Sequence, residues 1–116
     1  MKEVELVGIQ KFKEKEVEIP EIKSDEVLIN VKRCGICGSD VHSYLGHHPF
    51  VEPPIVLGHE YTGIISEKGS RVNELEIGQR VTSEIIINCG ECHNCREGRY
   101  QICENGKYLG NVGWNG

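Results

Sequence analysis

A mainly β domain is the fold the sequence predicts, on three observations. Val27, Ile29 and Val31 alternate with Leu28, Asn30 and Lys32, the period of two that sets a strand's side chains on opposite faces. Two further apolar stretches, residues 61–67 and 81–87, are marked off by turn formers, Lys68-Gly69-Ser70 after the first and Gly78 before the second. Fourteen glycines in 116 residues supply the tight turns that a domain of many short strands needs.

Read in order, residues 1–8 alternate charged and apolar side chains and lack the hydrophobic region of a secretory signal. The strand at 27–32 follows, and then Ser39 or Asp40 caps a short helix running to about Leu45, since both side chains accept from free amide donors. The two apolar stretches come next as strands. Residues 106–116 are glycine-rich, stop without a terminating element and do not read as a natural domain end. At this length there is room for one domain and one core, residues 1–116, with no linker, repeat or low-complexity segment.

Composition excludes several function classes. A formal charge of −5 gives no basic footprint for nucleic acid. No apolar run approaches the eighteen residues of a membrane span. Six cysteines would suit a disulfide scaffold, but such scaffolds are secreted. A reduced cytoplasmic chain that holds its thiols on metal is the simpler account.

Four of those cysteines form Cys89-x₂-Cys92-x₂-Cys95-x₇-Cys103. Four thiolates at short fixed spacing can close a tetrahedron around zinc or hold an iron–sulfur cluster. The bacterial cluster pattern has three residues before its last cysteine and proline after it. Here there are seven, and Glu104 follows, which favours structural zinc over a cluster or cysteine pairing. A second constellation is Cys34-Gly35-Ile36-Cys37-Gly38-Ser39-Asp40-Val41-His42, followed by Gly58-His59-Glu60. Cys37, His59 and Glu60 offer a thiolate, an imidazole and a carboxylate, all ligand types of zinc, and a catalytic zinc keeps one position open. Taken singly, Cys37 reads as a small buried residue and Gly-His-Glu as a weak signal; beside a complete four-cysteine site they point to a second metal centre. Ser39 and His42 lie three apart, on one face of the short helix.

Residues 30–103 resemble the catalytic, GroES-like domain of the zinc-dependent medium-chain alcohol dehydrogenases. The resemblance lies in the 34–42 block, in Gly58-His59-Glu60 and in the four-cysteine lobe, and weaker similarity covers nearly the whole chain. It implies a GroES-like distorted β-barrel with short helices and a structural zinc lobe at 89–103. It implies that Cys37 and His59 hold a catalytic zinc, that Glu60 lies behind the metal or ligates it, and that Asp40 orients the His59 ring. Cys89, Cys92, Cys95 and Cys103 would hold the structural zinc. Cys34 matches no ligand position and reads as packing, His93 as a solvated loop histidine, and His47 and His48 as surface residues.

The activity implied is oxidation of an alcohol to a carbonyl, by alkoxide formation at the zinc and hydride transfer to NAD or NADP. Ser39 would pass the proton toward His42, in the family through the ribose of the nucleotide, and histidine is the side chain that exchanges protons near neutral pH. Gly38 follows the zinc cysteine where liver-type enzymes usually carry a basic residue, which resembles the polyol, sugar-alcohol and threonine dehydrogenases and leans the substrate toward a polyol or secondary alcohol. The glycines at 106, 110, 113 and 116 do not form Gly-x-Gly-x-x-Gly between a strand and a helix. The Rossmann domain and the remaining zinc-site residue of the family would therefore lie beyond Gly116, and the chain is expected to be inactive alone. A missing closing segment implies an uncovered edge and an apolar patch, hence self-association into a homo-oligomer. The alternative function is a stand-alone, non-catalytic zinc-binding or GroES-like interaction module, since fold does not fix function. Cys37, Ser39, His42, His59 and Glu60 argue against it, and against the zinc-free quinone reductase branch.

Overall fold

The computed structural model describes residues 1–116. Its longest pairing is built from the alternating segment foreseen above. Strand β3 (Val27–Cys34) runs antiparallel to β5 (Tyr61–Lys68), in register from Val27 opposite Lys68 to Cys34 opposite Tyr61, with two bulges. Gly63 makes the close approach possible, because a Cβ there would meet Ile29 Cγ2 at 2.4 Å and the Asn30 carbonyl at 2.8 Å. A short β6 (Arg80–Val81) completes this sheet beside β5.

A second sheet has β1 (Lys2–Gly8) between β2 (Lys11–Glu16) and β4 (Ile55–Val56). The hairpin is stitched by charge more than by apolar alternation: Lys2 pairs with Glu14 at 2.8 Å, and Lys15 reaches Glu3 at 2.9 Å and Glu5 at 3.2 Å. Those two carboxylates, Glu3 first, hold the Lys15 ammonium pKa above its ordinary value. Lysines at 11, 13 and 15 along the outer strand also discourage another chain from pairing with that edge. The helix α1 (Gly38–Tyr44) docks on this hairpin, with Phe12 stacked on Tyr44 at a ring separation of 5.3 Å and the Gln10 N–H donating to the Tyr44 carbonyl at 2.9 Å.

The third sheet, β7 (Ile86–Ile87), β8 (Lys107–Leu109) and β9 (Gly113–Trp114), is the stem of the cysteine lobe. Between its strands lie a short helix α2 (His93–Arg96) and a 3-10 turn, Tyr100–Ile102.

The mainly β class is what the sequence led us to expect, with three differences of detail. The three sheets stay open and do not close into a barrel: Val4 of β1 faces Val27, Ile29 and Val31 of β3 across a cleft of about 440 Å³ that no ladder bridges. The stretch 81–87 is not one strand, because the chain leaves the β3–β5–β6 sheet after Val81, where Thr82 Oγ1 donates to the Tyr61 carbonyl at 2.7 Å, and enters the third sheet at Ile86. The glycine-rich stretch 106–116 carries β8 and β9, joined by turns and no helix. Seven glycines adopt positive φ, which accounts for the many turns. No helix is long and apolar enough to cross a membrane.

Only Leu6, Ile55, Ile65 and Cys103 form the buried apolar set, and Leu6 and Ile55 are register partners across β1 and β4. Large apolar residues stay exposed, Ile36 at 82% and Phe50 at 73%, and one edge of β3 is unpaired. With so few buried side chains, each carries a large share of stability. Leu6→Ala is expected to cost about 2–4 kcal/mol in urea unfolding, whereas exposed Val7→Ala stays within about 0.5 kcal/mol.

Candidate metal centres

The register of β3 and β5 assembles the first site. Cys34 opposite Tyr61 is the final paired position, so the chain leaving β3 and the chain entering β5 emerge together. The Gly35 N–H extends the ladder by donating to the Glu60 carbonyl at 2.6 Å. Cys37 follows on one side, His59 and Glu60 precede on the other, and their ligand atoms lie within 4.8 Å of one another. A Cβ at Gly35 would stand 2.8 Å from Glu60 Oε2, so glycine there leaves room for the carboxylate. His59 is buried, Cys37 half-buried and Glu60 exposed.

Asp40 sits behind these three, bonded to one and facing another. One carboxylate oxygen accepts the Cys37 N–H at 2.9 Å; the other, Oδ1, lies 3.6 Å from His59 Nδ1. That separation is too long for a hydrogen bond, and both atoms are buried without any other partner. Two orphaned polar atoms facing each other fit a ring whose Nδ1 turns to the carboxylate and whose Nε2 is left free for a metal. The capping expectation changes in detail: Cys37 is the N-cap residue, Ser39 lies inside α1, and Asp40 serves the cap from the third helical position through the Cys37 N–H.

Ser39 is half-buried, and its carbonyl accepts the Ser43 hydroxyl at 2.8 Å; His42, one turn on, is exposed, with its ring 6.4 Å from that of His47. No hydrogen bond joins Ser39 to His42. Cys34, expected to pack, is exposed: it ends β3 and borders the open clefts beside Val4, with Gly58 near its sulfur. His93 is solvent-exposed as expected, but it begins α2 and so is not a loop residue. His47 is exposed, while His48 is half-buried and accepts the Phe50 N–H at 3.3 Å. An apolar cleft of about 330 Å³, lined by Val4, Phe12, Ile36, Val41, Tyr44 and Leu57, reaches Gly35 and Asp40 but not the three ligand atoms.

The second site is the lobe. Cys89 follows β7, Cys92 caps α2, Cys95 lies within α2 and Cys103 ends the 3-10 turn; Gly90 and Gly98, at φ +75° and +76°, make the reversals. Sulfur separations are 3.5 Å for Cys89–Cys103, 3.9 Å for Cys92–Cys103 and 4.0 Å for Cys89–Cys95. A tetrahedron of thiolates at the usual zinc–sulfur length of about 2.3 Å has edges near 3.8 Å, so the four sulfurs fit one ion. A four-iron cluster, in which each cysteine binds a different iron, would hold them farther apart. All six cysteines are free.

The lobe favours the thiolate at two of its four cysteines and opposes it at a third. Backbone N–H groups of Glu91 and Cys92 hold the Cys89 thiol down to about 6. Those of Glu104 and Cys95 lower Cys92, whereas desolvation, then Cys92, push Cys95 up to about 11. Four sulfurs this close cannot all carry charge without a cation among them.

The family model of the alcohol dehydrogenase GroES-like domain matches residues 23–116. The chain is 43% identical over 96 residues to D-arabitol-phosphate dehydrogenase of Enterococcus avium, covering 82% of this chain and 27% of that protein. It is 41% identical over 113 residues to sorbitol dehydrogenase of Bacillus subtilis, covering 94% and 32%. A structure described as a zinc-binding dehydrogenase of Sinorhizobium meliloti, solved with NADP, superimposes with a TM-score of 0.88 at 39% identity, over 99% of this chain and 33% of that one. The chain thus spans about a third of the length of the relatives it matches.

Elemental analysis of the purified chain should find zinc that survives dialysis against a weak chelator, with no acid-labile sulfide. Cys92→Ser should release it and speed amide exchange across residues 88–106 while β3 stays protected, since metal binding and local folding are linked. Iron with sulfide would reassign the lobe.

Proposed function

The chain belongs to the GroES-like domain family of the zinc-dependent medium-chain alcohol dehydrogenases, and on that premise we propose that it is the zinc-binding catalytic portion of an NAD- or NADP-dependent enzyme that oxidises a polyol or related secondary alcohol. The observation that carries the reading is the convergence of Cys37, His59 and Glu60 within 4.8 Å, with Asp40 buried behind them. The polyol class is supported by Gly38 after the ligand cysteine and by relatives named for arabitol phosphate and sorbitol.

In this reading Cys37, His59 and Glu60 hold the catalytic zinc, and Cys89, Cys92, Cys95 and Cys103 the structural one. Zinc at the first site supplies the Lewis acidity that makes an alcohol a stronger acid. Asp40 fixes the His59 ring and, through the Cys37 N–H, the helix start that carries Cys37. Ser39, half-buried on the first turn of α1, receives the substrate proton, and exposed His42 passes it to solvent. The two do not touch, so a proton passing between them needs a bridging hydroxyl, a group that a bound nucleotide would offer. Residues outside these 116 bind the nucleotide, in keeping with relatives about three times as long. The exposed apolar residues and the free edge of β3 then face that remaining part of the enzyme, or a second copy in its absence.

A non-catalytic zinc module has no use for a site with an open position, and activity separates the two readings. The complete enzyme is expected to reduce NAD or NADP with a polyol, and the 116-residue chain alone to show no turnover. In the enzyme, Ser39→Ala should lower kcat by about 100-fold or more with the nucleotide Kd unchanged. His42→Ala should alter the pH profile of kcat and be partly rescued by added imidazole. An enzyme that binds zinc and nucleotide yet oxidises no alcohol would overturn the proposal. Chelator titration should strip the Cys37 site before the lobe, because three protein ligands hold an ion less firmly than four thiolates.

A further inference from the structure

The glycine-rich stretch 106–116 plays no part in the reading above, yet its backbone lies against the segment that carries His59. A Cβ on Gly110 would stand 2.2 Å from the Gly58 carbonyl oxygen and 2.7 Å from Gly58 N and C. One on Gly116 would stand 2.2 Å from the same oxygen and 2.9 Å from the Leu57 carbonyl. These are backbone atoms, which cannot swing aside as a side chain does. Two further bonds hold the contact: the Gly116 N–H donates to the Val56 carbonyl at 2.9 Å, and the Val56 N–H donates to Asn115 Oδ1 at 3.1 Å. The Gly58 carbonyl belongs to the peptide that joins Gly58 to His59. The plane of that peptide sets the direction in which the His59 side chain leaves the backbone.

Gly110 directly follows β8, whose partner β7 leads into Cys89, and Cys103 lies just before β8. The four-cysteine lobe is therefore continuous, through one short strand, with the glycine whose backbone lies against Gly58. We infer that Gly110 is a positioning residue: it seats the Gly58–His59 peptide so that His59 meets Cys37 and Glu60, and it links the order of the lobe to that site. The inference rests on reading Cys37, His59 and Glu60 as a metal centre. Linkage then makes the effect reciprocal, each bound ion raising the affinity of the other site.

The test compares Gly110→Ala with Gly113→Ala in the whole chain. Both positions have positive φ, +62° and +73°, so both substitutions carry a backbone penalty. A Cβ on Gly113 meets only the Lys107 side chain, at 3.5 Å or more, and so leaves Gly58 alone. Cobalt(II) is the probe, since its absorption distinguishes a four-thiolate from a one-thiolate site, and the His59 amide and ring resonances are recorded in parallel. Gly110→Ala is expected to weaken cobalt at the Cys37 site by about tenfold or more and to shift His59, with Gly113→Ala within about twofold of the unaltered chain. If Gly110→Ala does not fold, Gly116→Ala, which has no left-handed φ, is expected to give the same pattern. Unchanged cobalt affinity and an unshifted His59 in the folded variant would overturn the inference. An unaltered chain that binds cobalt at the four cysteines alone would refute the metal reading instead, and the His59 resonances would then decide for or against Gly110.

Discussion

The pairing of β3 with β5 is the constraint on which the rest depends. Cys37 and His59 are far apart in sequence, and only the opposition of Cys34 and Tyr61 brings their loops out side by side. Strand side chains alternate faces, so a slip of one residue would turn Ile29 and Ile65 away from one another and move Glu60 relative to Gly35. The apolar alternation along β3 and the tight seat of Gly63 against Ile29 and Asn30 hold that register. Site geometry is thus a property of the sheet before it is a property of the loops.

Asp40 shows how one carboxylate can serve local and tertiary structure together. Its helix position satisfies the Cys37 N–H, a bond that any capping side chain could make, but its second oxygen reaches across to His59 from another part of the chain. A buried carboxylate oxygen and a buried imidazole nitrogen without partners are costly in a protein that buries so little. That cost falls where a bound cation would be felt most strongly. The lobe follows the same logic: backbone N–H groups stabilise charge on Cys89 and Cys92, while Cys95 resists it, a conflict that a bound cation would relieve.

The chemistry of the site was more legible in the sequence than its support. Ligand types and spacings are local facts, and the structure brings Cys37, His59 and Glu60 together, and the four cysteines together, as those facts suggest. The β3 and β5 strands were legible because one face alternates. The β1–β2 hairpin was not, because Lys11 to Glu16 carries one large apolar residue, Phe12, and is held by charges whose partners lie on the other strand. Residues 81–87 read as one strand because apolar character does not say which sheet a residue joins. The glycine count suggested turns alone. At Gly110 the missing side chain also lets its backbone lie against that of Gly58, and that appears only once both are placed.

The lobe leaves and re-enters the domain at the same place. Ile87 and Lys107 are paired across β7 and β8, so residues 88–106 form an excursion whose two ends are already adjacent. Such a segment can be lengthened, shortened or exchanged for a simple hairpin turn without any other strand having to move. Its cysteines organise the excursion itself, and the loop-closure cost of gain or loss stays local, so that only the seat of Gly110 on Gly58 carries an effect beyond the stem. A four-cysteine lobe on this stem is therefore a graftable module: the register of β3 and β5 survives its exchange, and what it adds for the ligands beside those strands is the seat that Gly110 gives Gly58.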